Sequence, residues 1–252
     1  MVSHMLRERG KSVDVGWLLD ASVATFIWYE PVQLKRERPA AESAKGVYNC
    51  PAVMDHEARL FEVKCPVDLH LRLERDGETG AFRIWNPMGD QASMTPGALK
   101  QICTLGKPNE WRHPERPIIQ VITPYYFLSD DPVYIAQFPP FGDFRTHAWP
   151  GLMIGGRLPI NVWVRNLTWA FEWHDPSRDL VIQRGAPWFY VRFETNDLTR
   201  HVRLYEAELT SDLRDYIGGA RGVTNFVGRT FSLFSTALQR RPRRLLVRKA
   251  RT

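Results

Sequence analysis

Residues 158–193, LPINVWVRNLTWAFEWHDPSRDLVIQRGAPWFYVRF, decide the fold class. They hold four of the chain's nine tryptophans. Their β-branched and aromatic residues recur in short runs between turn-formers, which is the composition of packed antiparallel strands. Side chains alternate across a strand, so over residues 163–173 the odd positions Trp163, Arg165, Leu167, Trp169, Phe171 and Trp173 make a heavily aromatic face. The even positions are smaller and more polar, and a break near Asn166 divides the run in two. Residues 174–179, HDPSRD, supply turn chemistry, since Pro presets φ and Asp and Ser bond their own backbone. Residues 180–183 read as the return strand, which Gly185 and Pro187 interrupt. Residues 188–193 are apolar on both parities except at Arg192, which predicts a central strand buried on both sides.

Trp169 and Phe171 on one strand, an isoleucine-bearing strand closing on Arg184 and Gly185, and then Pro187 with residues 189–193 together resemble the end of a family of uncharacterised β-rich proteins of bacteria and phages. The resemblance rests on packing and turn residues. It implies a fold and carries no catalytic residue with it.

A chain of 252 residues can bury roughly three quarters of its unfolded surface, enough for a core without staples. Eighteen prolines and seventeen glycines punctuate many short strands. The three cysteines, Cys50, Cys65 and Cys103, form no CxxC pair and are expected to be reduced, in the cytoplasm or a virion. The N-terminus has no apolar signal-peptide core, and no apolar run is long enough to span a bilayer. The Asn166-Leu-Thr168 sequon is taken as accidental. Residues 240–252 carry seven of the 34 Lys and Arg and no Asp or Glu, so the rest of the chain holds 27 cations against 28 carboxylates. The net charge of +6 therefore belongs to the C-terminus, and the body is not expected to present a nucleic-acid-binding face.

Along the chain, residues 1–12 are polar, 13–19 and 24–34 are apolar-rich, and 26–34 read as a strand whose second part Pro31 demotes to an edge or an extended segment. Residues 35–46 read as a charged, mobile loop. Residues 67–75 alternate cleanly, and the Asp76-Gly77 pair after them suits a hairpin with positive φ. Thr95 and Pro96 predict a helix start. Residues 118–128 and 133–138 read as strands about an Asp130-Asp-Pro132 turn. Residues 138–150, FPPFGDFRTHAWP, are too aromatic for idle solvent-facing chain and are expected to cover a sheet end or line a pocket. Residues 203–216 and 225–239 show helical spacing.

The candidate chemistry is sparse. Asp68 and His70 share the polar face of the alternating strand. With His147 or His174 they would make the two-His-one-carboxylate iron site of β-sandwich oxygenases, although a lone D-x-H on a polar strand face is most often a solvated pair. Asp55, His56 and Glu57 read as an exposed turn, and Cys50 with His56 reads as a buried thiol near a histidine rather than a nucleophile and base. The Walker loop, GxGxxG after a strand, G-x-S-x-G and HExxH are missing, which removes the easiest enzyme classes. The C-terminal cations Arg240, Arg241, Arg243, Arg244, Arg248, Lys249 and Arg251 suit an anionic partner, either nucleic acid or an acidic protein groove. The run 245–247, LLV, suits a short anchor on a partner.

The expectation is a mainly β protein. It consists of an antiparallel β-sandwich or jelly-roll-like body over 1–199, a C-terminal helical extension over 200–239 and a basic tail over 240–252. Two functions follow. One is a non-enzymatic structural or interaction protein without cofactor, a phage or phage-like particle component meeting other subunits in an assembly. The other is an iron-dependent oxygenase with its pocket near Asp68 and His70.

Overall fold

The computed structural model describes residues 12–20, 27–35, 46–197, 199–223 and 230–250. Among them, fifteen strands form four sheets beside four α-helices, a mainly β architecture. The expectations for residues 1–11, for the charged loop over 36–45 and for Arg251 lie outside the described residues. No helix among the described residues is long and apolar enough to cross a membrane.

The quoted stretch contributes to four strands in three different sheets. β12 (Thr168–Trp173) sits in a four-stranded sheet between β10 (Gly151–Ile154) and β7 (Ile118–Ile122), with β6 (Cys103–Leu105) beyond. Trp169, Phe171 and Trp173 are fully buried on one face, as their parity predicts. The first of the two strands expected about Asn166 does not form: residues 160–162 turn, 163–167 are irregular, and β12 starts at Thr168. Tyr126 donates to the Asn166 side chain, which in turn donates to the Thr123 carbonyl, so this sequon asparagine is tied into the fold.

β14 (Pro187–Glu194) is the predicted central strand. It lies mid-sheet between β9 (Tyr134–Phe138) and β3 (Leu60–Lys64), in a five-stranded sheet edged by β11 (Arg157–Pro159) and β2 (Val32–Gln33). Pro31 does confine its strand to an edge.

The expected return strand behaves differently. β13 (Leu180–Ile182) turns away from β12 and pairs with β4 (Leu69–Arg75), whose other neighbour is β5 (Phe82–Trp85). A two-residue Asp-Gly turn does not join β4 to β5. Asp76 accepts from the backbones of Glu78 and Thr79, and the positive φ of 68° falls on Gly80.

The remaining sheet holds β1 (Val13–Leu19) between antiparallel β8 (Tyr125–Leu128) and parallel β15 (Val202–Glu206). The helical spacing over 203–216 was therefore misleading at its start. Residues 202–206 extend along β1, and only α3 (Ser211–Val223) is helical. α4 (Thr230–Arg240) matches the second predicted helix from residue 230 onward. Residues 55–57 are not a turn either. They belong to α1 (Pro51–Ala58), whose first position takes a proline without losing a bonded N–H. α2 (Pro96–Ile102) begins as predicted, with the Thr95 hydroxyl accepting from the Ala98 N–H.

Aromatic side chains carry the packing between sheets. Trp169 of β12 lies 5.7 Å from Trp188 of β14, which stacks on Trp28 at 6.2 Å. A second apolar cluster gathers Leu18, Tyr126, Leu128, Leu213, Tyr216 and Ile217 around Leu245 and Leu246. The C-terminal residues are thus docked on the chain's own body. Ala207 and Arg248 form an antiparallel bridge, Glu208 N–H donates to Val247 O, and Lys249 N–H donates to Glu206 O.

Candidate functional site

Of the four residues predicted for a metal, Asp68 lies just before β4 and His70 within it, so the shared strand face expected for them does not form, and they turn to different partners. Asp68 accepts the Arg184 backbone N–H at 2.8 Å. His70 Nε2 lies 2.7 Å from Asp179, whose carboxylate also takes two bonds from Arg72 at 2.7 and 2.8 Å. These Arg72 hydrogen bonds, with a smaller contribution from His70, hold the Asp179 carboxyl below its ordinary value against the effect of burial. His174 turns to Glu172, 3.2 Å away on β12. Glu172 is buried, which alone would raise its pKa, yet hydrogen bonds from Arg112 and His174 outweigh burial and lower it. His147 lies exposed in the 3-10 turn that spans Phe144–Ala148. Among the described residues no three His, Cys, Asp or Glu side chains converge to hold a metal ion. Asp179 and Glu172, the carboxylates that do meet His70 and His174, were missed because Asp179 lies just before β13, 109 residues from His70, and Glu172 lies two positions before His174 at the end of β12.

Cys50 caps the start of α1, and His56 on that helix packs its ring 5.4 Å from Phe141. Burial pushes the Cys65 and Cys103 thiols up to about 12, so both behave as core residues.

The aromatic loop over 138–150, expected at a sheet end or a pocket, packs one of its rings on β14 and α1. Phe141 meets Tyr190 of β14 edge-on at 5.3 Å and His56 of α1 on its other side. Asp143 then locks the chain. It is buried, and its carboxylate accepts the Arg145 backbone N–H at 3.0 Å and the guanidinium at 2.6 to 3.0 Å. Burial works against its charge, but these bonds keep its carboxyl below the ordinary range. Between the two locked residues, Phe144 projects into solvent with 81 % of its surface exposed. Glu62 of β3 stands near this ion pair and 3.8 Å from Lys64, its carboxyl raised by burial. The D-x-R spacing of Asp143 and Arg145 was the available signal for this arrangement.

The C-terminal cations divide into two groups. Arg241 bonds Asp130 at 3.0 Å and the Asn161 carbonyl at 2.6 Å, and Lys249 pairs with Glu206 at 2.5 Å. Asp130 also accepts the backbone N–H groups of Leu245 at 2.7 Å and Leu246 at 3.3 Å, so one carboxylate fastens the segment. Among the described residues, Arg240, Arg243, Arg244 and Arg248 have no carboxylate within ion-pair distance, and all four are exposed. The run 245–247 was expected to anchor on a partner; instead Leu245 and Leu246 grip the chain's own second cluster.

No protein-family model matches the chain, and no curated protein shows significant similarity to it.

Proposed function

We propose that this protein is a non-enzymatic interaction component, built on a sandwich or jelly-roll-like body, that takes its place in an assembly of subunits such as a phage or phage-like particle. The observation that carries this reading is Phe144, 81 % exposed on a backbone that the Asp143–Arg145 pair holds in place. A rigid aromatic side chain offered to solvent loses little entropy on docking, which is the property of an interface anchor. Leu152 at 60 % exposure on edge strand β10 and Val181 at 50 % on edge strand β13 add apolar area beside unpaired strand edges. The Trp169–Trp188 contact supports the sandwich, since it joins the inward faces of two sheets.

Light-scattering mass and elemental metal analysis on the full chain and on Phe144→Ser test this. The expected result is a metal-free oligomer whose mass falls in the variant. A monomer with stoichiometric iron, unchanged by the substitution, would overturn the reading in favour of an oxygenase with Asp68 and His70 among its ligands.

A further inference from the structure

We infer that the docked C-terminal segment is a binding surface for single-stranded nucleic acid. This rests on reading the protein as an interaction component and specifies one of its partners.

The argument starts from placement. A cationic terminal run is ordinarily a solvated tail, and its charges then average over many positions. Here Leu245 and Leu246 are 0 % and 5 % exposed in the second apolar cluster, and Asp130 takes both of their N–H groups. The residues beside this anchor are held with it. Arg243, Arg244 and Arg248 are thereby carried on an anchored backbone, and Arg244 is tied further by donating to the Leu246 carbonyl at 3.1 Å. Because they lack carboxylate partners among the described residues, an anion does not have to displace an internal ion pair to reach them.

A cleft of about 310 Å³ opens beside the segment, lined by Asp14, Arg203, Leu204, Tyr205 and Arg248. Arg248 lies over the Tyr205 ring, 5.1 Å from its centroid, and Arg203 is oriented by Asp14 through bonds of 2.8 and 3.0 Å. A guanidinium held over an aromatic ring still has N–H groups to offer phosphate oxygens, which it can bind in pairs. A thin polyanion with planar bases can enter such a cleft and stack beside the tyrosine. A folded acidic surface meets only the rim. These features favour a single strand over an acidic protein.

Fluorescence anisotropy of a labelled oligothymidine with the full chain provides the test, run beside the triple variant Arg243→Gln, Arg244→Gln, Arg248→Gln. Three phosphate contacts at about 0.7 each predict a log–log salt slope near −2, a roughly twentyfold loss of affinity between about 50 mM and about 200 mM salt. The triple variant should lose at least about tenfold in affinity at the lower salt. The triple lysine variant should keep the slope while binding more weakly, and it reports on charge even if the glutamine variant fails to fold. Unchanged binding by a folded glutamine variant, displacement by polyglutamate as effective as by unlabelled oligonucleotide, or tighter binding to duplex would each overturn the inference. Phe144→Ser should bind the oligonucleotide normally and the triple variant should keep its assembly mass, so this inference and the assembly reading fail separately.

Discussion

A Cβ on Gly16 would collide with Leu246 Cδ1 and lie 2.8 Å from Ala207 Cβ, so the C-terminal leucine is seated directly on the backbone of β1. The missing side chain in the first strand is what makes room for the last segment. Gly16→Ala should overpack the site and cost about 1–3 kcal/mol, a fall in Tm of about 2–4 °C per kcal/mol at this chain length. Leu246→Ala should cost about 2–5 kcal/mol by itself. The double variant should cost clearly less than the sum, because the added methyl enters the space the leucine vacates. Strict additivity in thermal melts would show that the two residues do not touch.

Asp130 holds the same segment from the other side. Asp130→Ala leaves the Leu245 and Leu246 N–H groups and the Arg241 guanidinium without this acceptor, a loss of about 1–3 kcal/mol. The expected readout is faster hydrogen exchange at Leu245 and Leu246 with β14 unchanged. Equal loss of protection in both places would mean that the segment opens only with the whole fold.

Glu62 supplies a pH signature. Burial raises its carboxyl above the ordinary 4.5, so the fold favours the protonated form. That contribution is present below the unfolded value and is lost as pH rises through the folded one. Glu62→Gln should therefore stabilise the protein at neutral pH, by less than about 1 kcal/mol given the Lys64 contact it gives up. The gain should vanish below pH 4.5. A gain that persists into acid would assign it to packing instead of charge.

The thiols of buried Cys65 and half-buried Cys103 should both be silent in the native state. With Cys65 and Cys103 raised to about 12, only a minute thiolate fraction exists at pH 8. Titration with a disulfide reagent should modify them only on addition of denaturant, and fast native modification mapped to either one would contradict their burial.

Much of the fold was legible in local sequence. The parity of 168–173, the two-sided apolar run of β14, the alternation of β4 and the Thr95 cap each follow from a period or a capping geometry that neighbouring residues determine by themselves. The same was true of the charge concentrated beyond residue 239. Tertiary structure decided what such periods cannot encode. Residues 202–206 carry helical spacing but become a strand, because the edge of β1 offers a ladder of backbone partners that outweighs a weak propensity. β13 leaves its sequence neighbour for β4, since pairing depends on which edge lies within reach after collapse. His70 meets Asp179 across 109 residues and Asp130 meets Leu245 across 115, contacts between chain-distant groups that no local pattern contains. The sequence by itself therefore determined several of the strands, the Thr95 cap and the location of the charge. Only the packed structure decided that the cationic end is an anchored part of the body, because burial of Leu245 and Leu246 requires a cavity assembled from β1, β8 and α3.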